Sequence, residues 1–143
     1  MPKELFNKEE IAITQLDTAC KLFLEGHFIS AASLGGCAES LTEGLVRKRN
    51  IDPTKWKTGF IKSLCEKRKK QTPPNQAILK EVNRVRNLLK HHDNDDPIEI
   101  SFNAKLSAFL IISETIENIL TLGYEQSELM NEFIKHTKNY DGV

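Results

Sequence analysis

Asn75-Gln76-Ala77-Ile78-Leu79-Lys80-Glu81-Val82-Asn83-Arg84-Val85-Arg86-Asn87-Leu88-Leu89-Lys90 is the stretch whose reading decides the fold. Ile78, Val82, Val85 and Leu89 recur at three- and four-residue intervals. That places them in one narrow arc of an α-helix and excludes the alternation of a half-buried strand. Asn83, Arg86 and Lys90 then lie along one flank, with Asn87 and His91 a pair four apart on the far side. Pro73-Pro74 bounds the segment in front. Behind it, His92-Asp93-Asn94-Asp95-Asp96-Pro97 cannot easily continue a helix.

The same spacing runs outward in both directions. Asn7 with Glu10 reads as a capping box. After it Ala12, Ile13, Leu16, Ala19, Cys20, Phe23 and Leu24 make an apolar stripe that Gly26 stops. A second helix is expected from about residue 28 to 49, with Leu34, Cys37, Ala38, Leu41 and Leu45 on one side. Its first half is Ala31-Ala32-Ser33-Leu34-Gly35-Gly36-Cys37-Ala38, where each glycine costs the helix about 1 kcal/mol against alanine. Close approach of a neighbouring helix is the gain that offsets this. Asp52-Pro53 supplies an N-cap and a first-position proline. A third helix follows with Trp56, Phe60, Ile61, Leu64 and Cys65, ending in Lys67-Arg68-Lys69-Lys70. After the Asp- and Asn-rich loop and Ile98-Glu99-Ile100, a very apolar helix is expected over 104–122, ended by Gly123. An amphipathic tail helix spans 127–138, with Leu129, Met130, Phe133 and Ile134. There are no strand pairs and no internal repeat. The expectation is an all-α antiparallel helical bundle of five to six helices. It forms a single domain over 1–143, with a core over roughly residues 7–122 and the tail helix over roughly 124–140.

A chain of 143 residues with 39% hydrophobic content is long enough to bury a core without staples. No apolar run approaches the roughly 20 residues of a membrane span. Met1-Pro2-Lys3-Glu4-Leu5 carries no signal-peptide core. A cytoplasmic protein making no membrane contact is expected. Cys20, Cys37 and Cys65 show no metal-binding spacing and sit beside apolar residues, so buried reduced thiols are expected. Zero net charge hides an asymmetry. From Arg47 to Lys90 there are fourteen Lys and Arg against three acids, a net of +11, and the rest of the chain carries the opposite. Such a segment is the footprint of a polyanion binder, and equally of solvated faces with ion pairs to the acidic ends.

The end of the helix over 75–90 carries the chemistry. The Arg86 guanidinium can hold a phosphoryl group, and the His91 imidazole can move a proton. On a continuous helix the two point about 140° apart. Either the helix ends near Lys90 and His91 swings back, or two protomers face each other and share a cleft. The plain structural alternative makes Arg86 and Lys90 solvated cations and His91 a helix cap at the negative end of the dipole. His91, His92, Asp93, Asp95 and Asp96 resemble a calcium loop only in part. The required glycine is missing and Pro97 stands where a ligand should, so neither metal nor cofactor is expected. Asp93 or Asp95 capping the next turn is expected instead. His27 and His136 read as surface residues, and Trp56, between two lysines, as a core indole more than a base-stacking platform.

Arginine, four residues, histidine resembles the motif of HEPN-domain proteins, small all-helical modules that include metal-independent ribonucleases. The likeness extends over roughly residues 10–122. Gln15-Leu16-Asp17-Thr18-Ala19, Leu22-Phe23-Leu24-Glu25-Gly26, the small-residue run ending Cys37-Ala38-Glu39-Ser40, Asn87-Leu88-Leu89-Lys90-His91-His92-Asp93-Asn94-Asp95-Asp96-Pro97 and Phe102-Asn103 look like a group of small bacterial HEPN-like proteins. In that group the signature rests more on the Asn87-to-Pro97 part than on the arginine. The resemblance implies a homodimer with its motifs facing across the two-fold axis. It implies RNA binding, and cleavage in which His91 accepts the 2′-hydroxyl proton or protonates the 5′-oxygen. Arg86 would neutralise the phosphorane, Lys90 would add positive potential and Asn87 would hold the imidazole or the phosphate. Asn83, Lys67 and Lys69 are expected to add RNA contacts. The rival class is a non-catalytic helical interaction module in a regulatory, defence or toxin–antitoxin setting, whose partner is an antitoxin or regulatory protein.

Overall fold

The computed structural model describes residues 1–53 and 75–138. Every regular element among them is helical: α1 (Lys8–Leu24), α2 (Phe28–Lys48), α3 (Asn75–Lys90), α4 (Ala104–Thr121) and α5 (Glu128–Thr137). The expected third helix, with Trp56, Cys65, Lys67 and Lys69, lies outside the described residues.

The boundaries follow from local chemistry. The Asn7 side chain accepts hydrogen bonds from the backbone N–H groups of Glu9 and Glu10, at 2.8 and 3.3 Å, and so caps α1. Asn103 does the same for α4 and Ser127 for α5. At the other ends three residues take the left-handed conformation: Gly26 (φ 84°), Asn50 (φ 59°) and Gly123 (φ 96°). Each is followed by an amide that reaches back to a carbonyl in the last helical turn: His27 to Leu22, Ile51 to Val46 and Tyr124 to Ile119. This is the Schellman ending, and it satisfies carbonyls that would otherwise be orphaned.

Helix α2 is the centre of the fold, packed on α1 and α4 along most of its length. It runs antiparallel to α1, while α4 lies beside it in the same direction, Gly35 against Ile111 and Ile112 and Thr42 against Asn118. Helix α5 returns along α1, where Phe133 meets Phe23 edge-on at a centroid distance of 5.0 Å. The core is Leu16, Phe23, Phe109, Ile111, Ile112, Ile119, Met130 and Phe133 with the alanines of α1, α2 and α4. One end of the bundle is tied by a polar clasp. Arg49 donates to Glu9 Oε1 (2.7 Å) and to the Leu122 carbonyl (2.9 Å), and the Tyr124 hydroxyl donates to Glu9 Oε2 (2.5 Å).

The two glycines of the small-residue run do separate jobs. A methyl group added at Gly35 would sit 3.3 Å from both Ile111 and Ile112, so α4 closes onto bare backbone there. One added at Gly36 would sit 3.1 Å from Arg86 Cγ, so there it is the arginine stem of α3 that closes. The thiols split. Cys20 is buried, and burial pushes it up to about 12, whereas Cys37 is exposed, contrary to the expectation. It lies on the outer arc of α2, where the apolar stripe has already turned away.

Candidate functional site

Helix α3 presents its Val82 and Val85 to the bundle, both buried, with Leu89 packed partly under them. It touches α2 and α4 over a short stretch compared with the α2–α4 contact. Much of its docking on α2 is polar. Arg86 Nη1 forms an ion pair with Oε2 of Glu39, and Nη2 donates to Asn83 Oδ1 at 2.8 Å. One turn later Lys90 Nζ donates to Ser40 Oγ at 3.3 Å. The flank Asn83–Arg86–Lys90 expected from helical spacing is therefore the flank that meets α2.

The Glu39 side chain is 0% exposed and that of Arg86 17%. A carboxylate taken so completely out of water is strongly penalised unless a cation and hydrogen bonds hold it. Arg86 supplies both through a planar, permanently charged fork. This is a role that sequence reasoning missed. Glu39 follows Cys37 and Ala38 of the expected apolar side and was not itself assigned to that side. Its partner lies 47 residues away. The one signal was the pair of adjacent glycines. Successive helical positions diverge by about 100°, so two bare positions in a row call for two close neighbours rather than one.

Helix α3 ends at Lys90, and the His91 amide closes the last turn by donating to the Asn87 carbonyl at 3.0 Å. His91 thus stands at the cap position, its residue exposed, as are Asn87, Lys90 and His92. No hydrogen bond links Arg86 to His91. The five-residue offset holds them on different sides of the helix end. The following turn is closed by Asp96, not by the expected Asp93 or Asp95. Asp96 Oδ2 accepts from the Asp93 amide at 2.8 Å, and the Asp96 amide donates to the Asp93 carbonyl at 2.9 Å. Asp96 is the residue in register because it stands three residues after Asp93, where its side chain and its amide both reach back across the turn. Among the described residues no three His, Cys, Asp or Glu side chains gather as a metal-binding group. None of the described helices is long and apolar enough to cross a membrane.

Among the described residues of the basic segment, every arginine has a carboxylate partner. Arg47 pairs with Glu43 (2.9 Å), Arg49 with Glu9 (2.7 Å), Arg84 with Glu81 (2.7 Å) and Arg86 with Glu39. Arg84 holds the Glu81 carboxyl below its ordinary range by a direct hydrogen bond. Lys48, Lys80 and Lys90 are exposed. His27 and His136 lie on the surface as expected. No family model, curated protein or solved structure matches this chain.

Proposed function

We propose that the end of α3 is an RNA-binding surface at which the protein cleaves the strand without a metal, with His91 as the proton-transfer group. The observation that carries this reading is the placement of His91. It is exposed at the cap of α3, directly after a lysine whose ammonium crosses to α2. An imidazole in water beside a cation, where a phosphodiester can approach, has what 2′-hydroxyl attack requires. His91 takes the 2′-hydroxyl proton, the 2′-oxygen attacks phosphorus, and the P–O5′ bond breaks as the 5′-oxygen is protonated. The products are a 2′,3′-cyclic phosphate and a 5′-hydroxyl. Since Arg86 is committed to Glu39, a cleft formed by two chains across their α3 ends would be lined by Asn87, Lys90 and His91 of each.

Purified protein incubated with single-stranded RNA in EDTA tests the reading. Wild type and His92→Ala should leave cyclic phosphate ends, and His91→Ala should leave none while keeping its fold. Equal activity in His91→Ala and wild type would end the enzyme reading.

The same Arg86–Glu39 pair favours a second reading, a non-catalytic helical interaction module. There the arginine of the motif is structural and the outer faces of α3 and α5 meet a protein partner. Inactivity of the wild-type protein on RNA, together with binding by neither single strand nor duplex, selects it.

A further inference from the structure

The pairing of arginines with carboxylates among the described residues extends into the site itself, and it bears on which cation meets the phosphate. Arg86 is the obvious candidate by residue type. Its fork, however, is engaged on two sides, by the carboxylate of Glu39 and the amide oxygen of Asn83. Glu39 is fully buried, so this partner cannot swing away with a solvated side chain and be replaced by a phosphate. The charge that Arg86 would offer an incoming anion is already neutralised across a low-dielectric contact. Gly36 adds a steric limit, because the arginine stem runs against bare α2 backbone and has little room to re-aim.

Lys90 differs on each count. It is one turn further along the same flank and exposed, and its ammonium is held by a single long hydrogen bond to a neutral hydroxyl, Ser40 Oγ at 3.3 Å. An ammonium has three donors, so that bond leaves two for a ligand. Ser40 is itself partly exposed, and its hydroxyl can donate to a phosphate oxygen while accepting from Lys90. Lys90 also stands nearer to His91. The two are adjacent, about 100° and 1.5 Å of rise apart, whereas Arg86 and His91 are separated by about 140° and 7.5 Å. We infer that Lys90 and Ser40 form the phosphate-contacting pair of the site, and that Arg86 is a positioning residue that fixes α3 on α2 through Glu39. This rests on the RNA reading above and assigns its parts.

The test is binding of a labelled single-stranded RNA 12-mer by the full chain, followed by anisotropy over a salt series, with thermal unfolding of the same samples. Lys90→Gln should weaken binding at low salt and flatten the log–log salt slope by about 0.7, the release of counterions at one single-strand phosphate. Ser40→Asp, which sets a carboxylate beside Lys90, should weaken binding more than tenfold. Neither should shift unfolding by more than a few degrees. Arg86→Gln should lower the unfolding temperature on the order of 10 °C. In the double variant Arg86→Gln/Glu39→Gln the losses should be less than additive, because one pair is removed twice. That double variant, assayed below its melting temperature, should keep the wild-type salt slope. A slope flattened in the double variant but unchanged in Lys90→Gln would make Arg86 the phosphate ligand and overturn the assignment. Failure of the wild-type protein to bind the RNA at low salt would instead overturn the RNA reading, and the Lys90 assignment with it. The unfolding data would still report whether Arg86 and Glu39 are coupled.

Discussion

The two seams that α2 makes, with α4 and with α3, begin from the same device and end differently. Each is opened by a glycine, Gly35 for α4 and Gly36 for α3. Behind Gly35 the contact is apolar, Ile111 and Ile112 against bare backbone, and further along it a neutral hydrogen bond runs from Asn118 Nδ2 to Thr42 Oγ1 at 3.0 Å. Behind Gly36 the contact is the stem of an arginine, and what closes it is charge, Arg86 on the fully buried Glu39. An apolar seam gains by area, roughly 25 cal/mol per Å², and tolerates small losses in proportion. A charged seam responds more steeply, since removing Arg86 takes the guanidinium from a fully buried carboxylate. One helix is welded into the core, and the other is latched to it.

The sharpest way to break this comparison is to remove one side of the latch. Arg86→Met keeps the apolar stem and removes the charge, so Glu39 loses its guanidinium partner at 0% exposure. The expected loss is about 4 kcal/mol, read from the urea midpoint at constant slope. A loss under about 1 kcal/mol, the size of a surface ion pair, would mean that the latch carries no more than one.

On the apolar seam the matching change is Ile112→Ala, fully buried against Gly35. Deleting its side chain should cost about 3 kcal/mol through lost transfer energy and the cavity left behind. The two seams should also differ in response to a second substitution. Glu39→Met added to Arg86→Met should recover part of the loss, while a further truncation at Ile111 can only deepen the loss from Ile112→Ala. The neutral hydrogen bond of the apolar seam gives an intermediate case. Thr42→Val conserves shape and removes the acceptor of the Asn118 amide, at an expected cost of about 2 kcal/mol. If Thr42→Val cost as much as Arg86→Met, neutral and ionic contacts at this depth would be equivalent and the distinction between the seams would disappear.

What the sequence showed of all this depended on the range of the cause. The start and end of α1 and the end of α4 were legible because Asn7, Gly26 and Gly123 act on amides and carbonyls a few residues away. The flank Asn83–Arg86–Lys90 was legible because helical geometry alone sets it. What that flank faces was not, since Glu39 and Ser40 are brought to it by tertiary packing across 47 and 50 residues. Asp96 was passed over as the turn-closing acid for a smaller reason. Three aspartates compete within four residues, and the choice falls to the one whose carboxylate reaches back to the Asp93 amide. The exposure of Cys37 had a different cause: α2 buries the face of Ala31, Ala32, Gly35, Gly36, Glu39, Thr42 and Val46, rotated from the side that carries its leucines.

The smallest effects sharpen the comparison most, because they test the glycines themselves. At Gly44, also inside α2, an added methyl meets nothing within 4 Å, so Gly44→Ala should stabilise the protein by about 1 kcal/mol, the bare helix-propensity difference. At Gly35 the same gain is opposed by contacts at 3.3 Å with two buried isoleucines that have no room to retreat. Overpacking of this kind costs about 1–3 kcal/mol, so Gly35→Ala should be destabilising on balance. At Gly36 the obstacle is nearer, 3.1 Å, yet it is a methylene of a flexible side chain, and Arg86 can shift by a few tenths of an ångström. Gly36→Ala should therefore fall between the other two in stability. The measurement is the order of urea midpoints, Gly44→Ala above wild type, Gly36→Ala near it and Gly35→Ala below. Should Gly36→Ala instead fall below Gly35→Ala, the arginine stem would be as immovable as the isoleucines, and the latch would be built as rigidly as the weld.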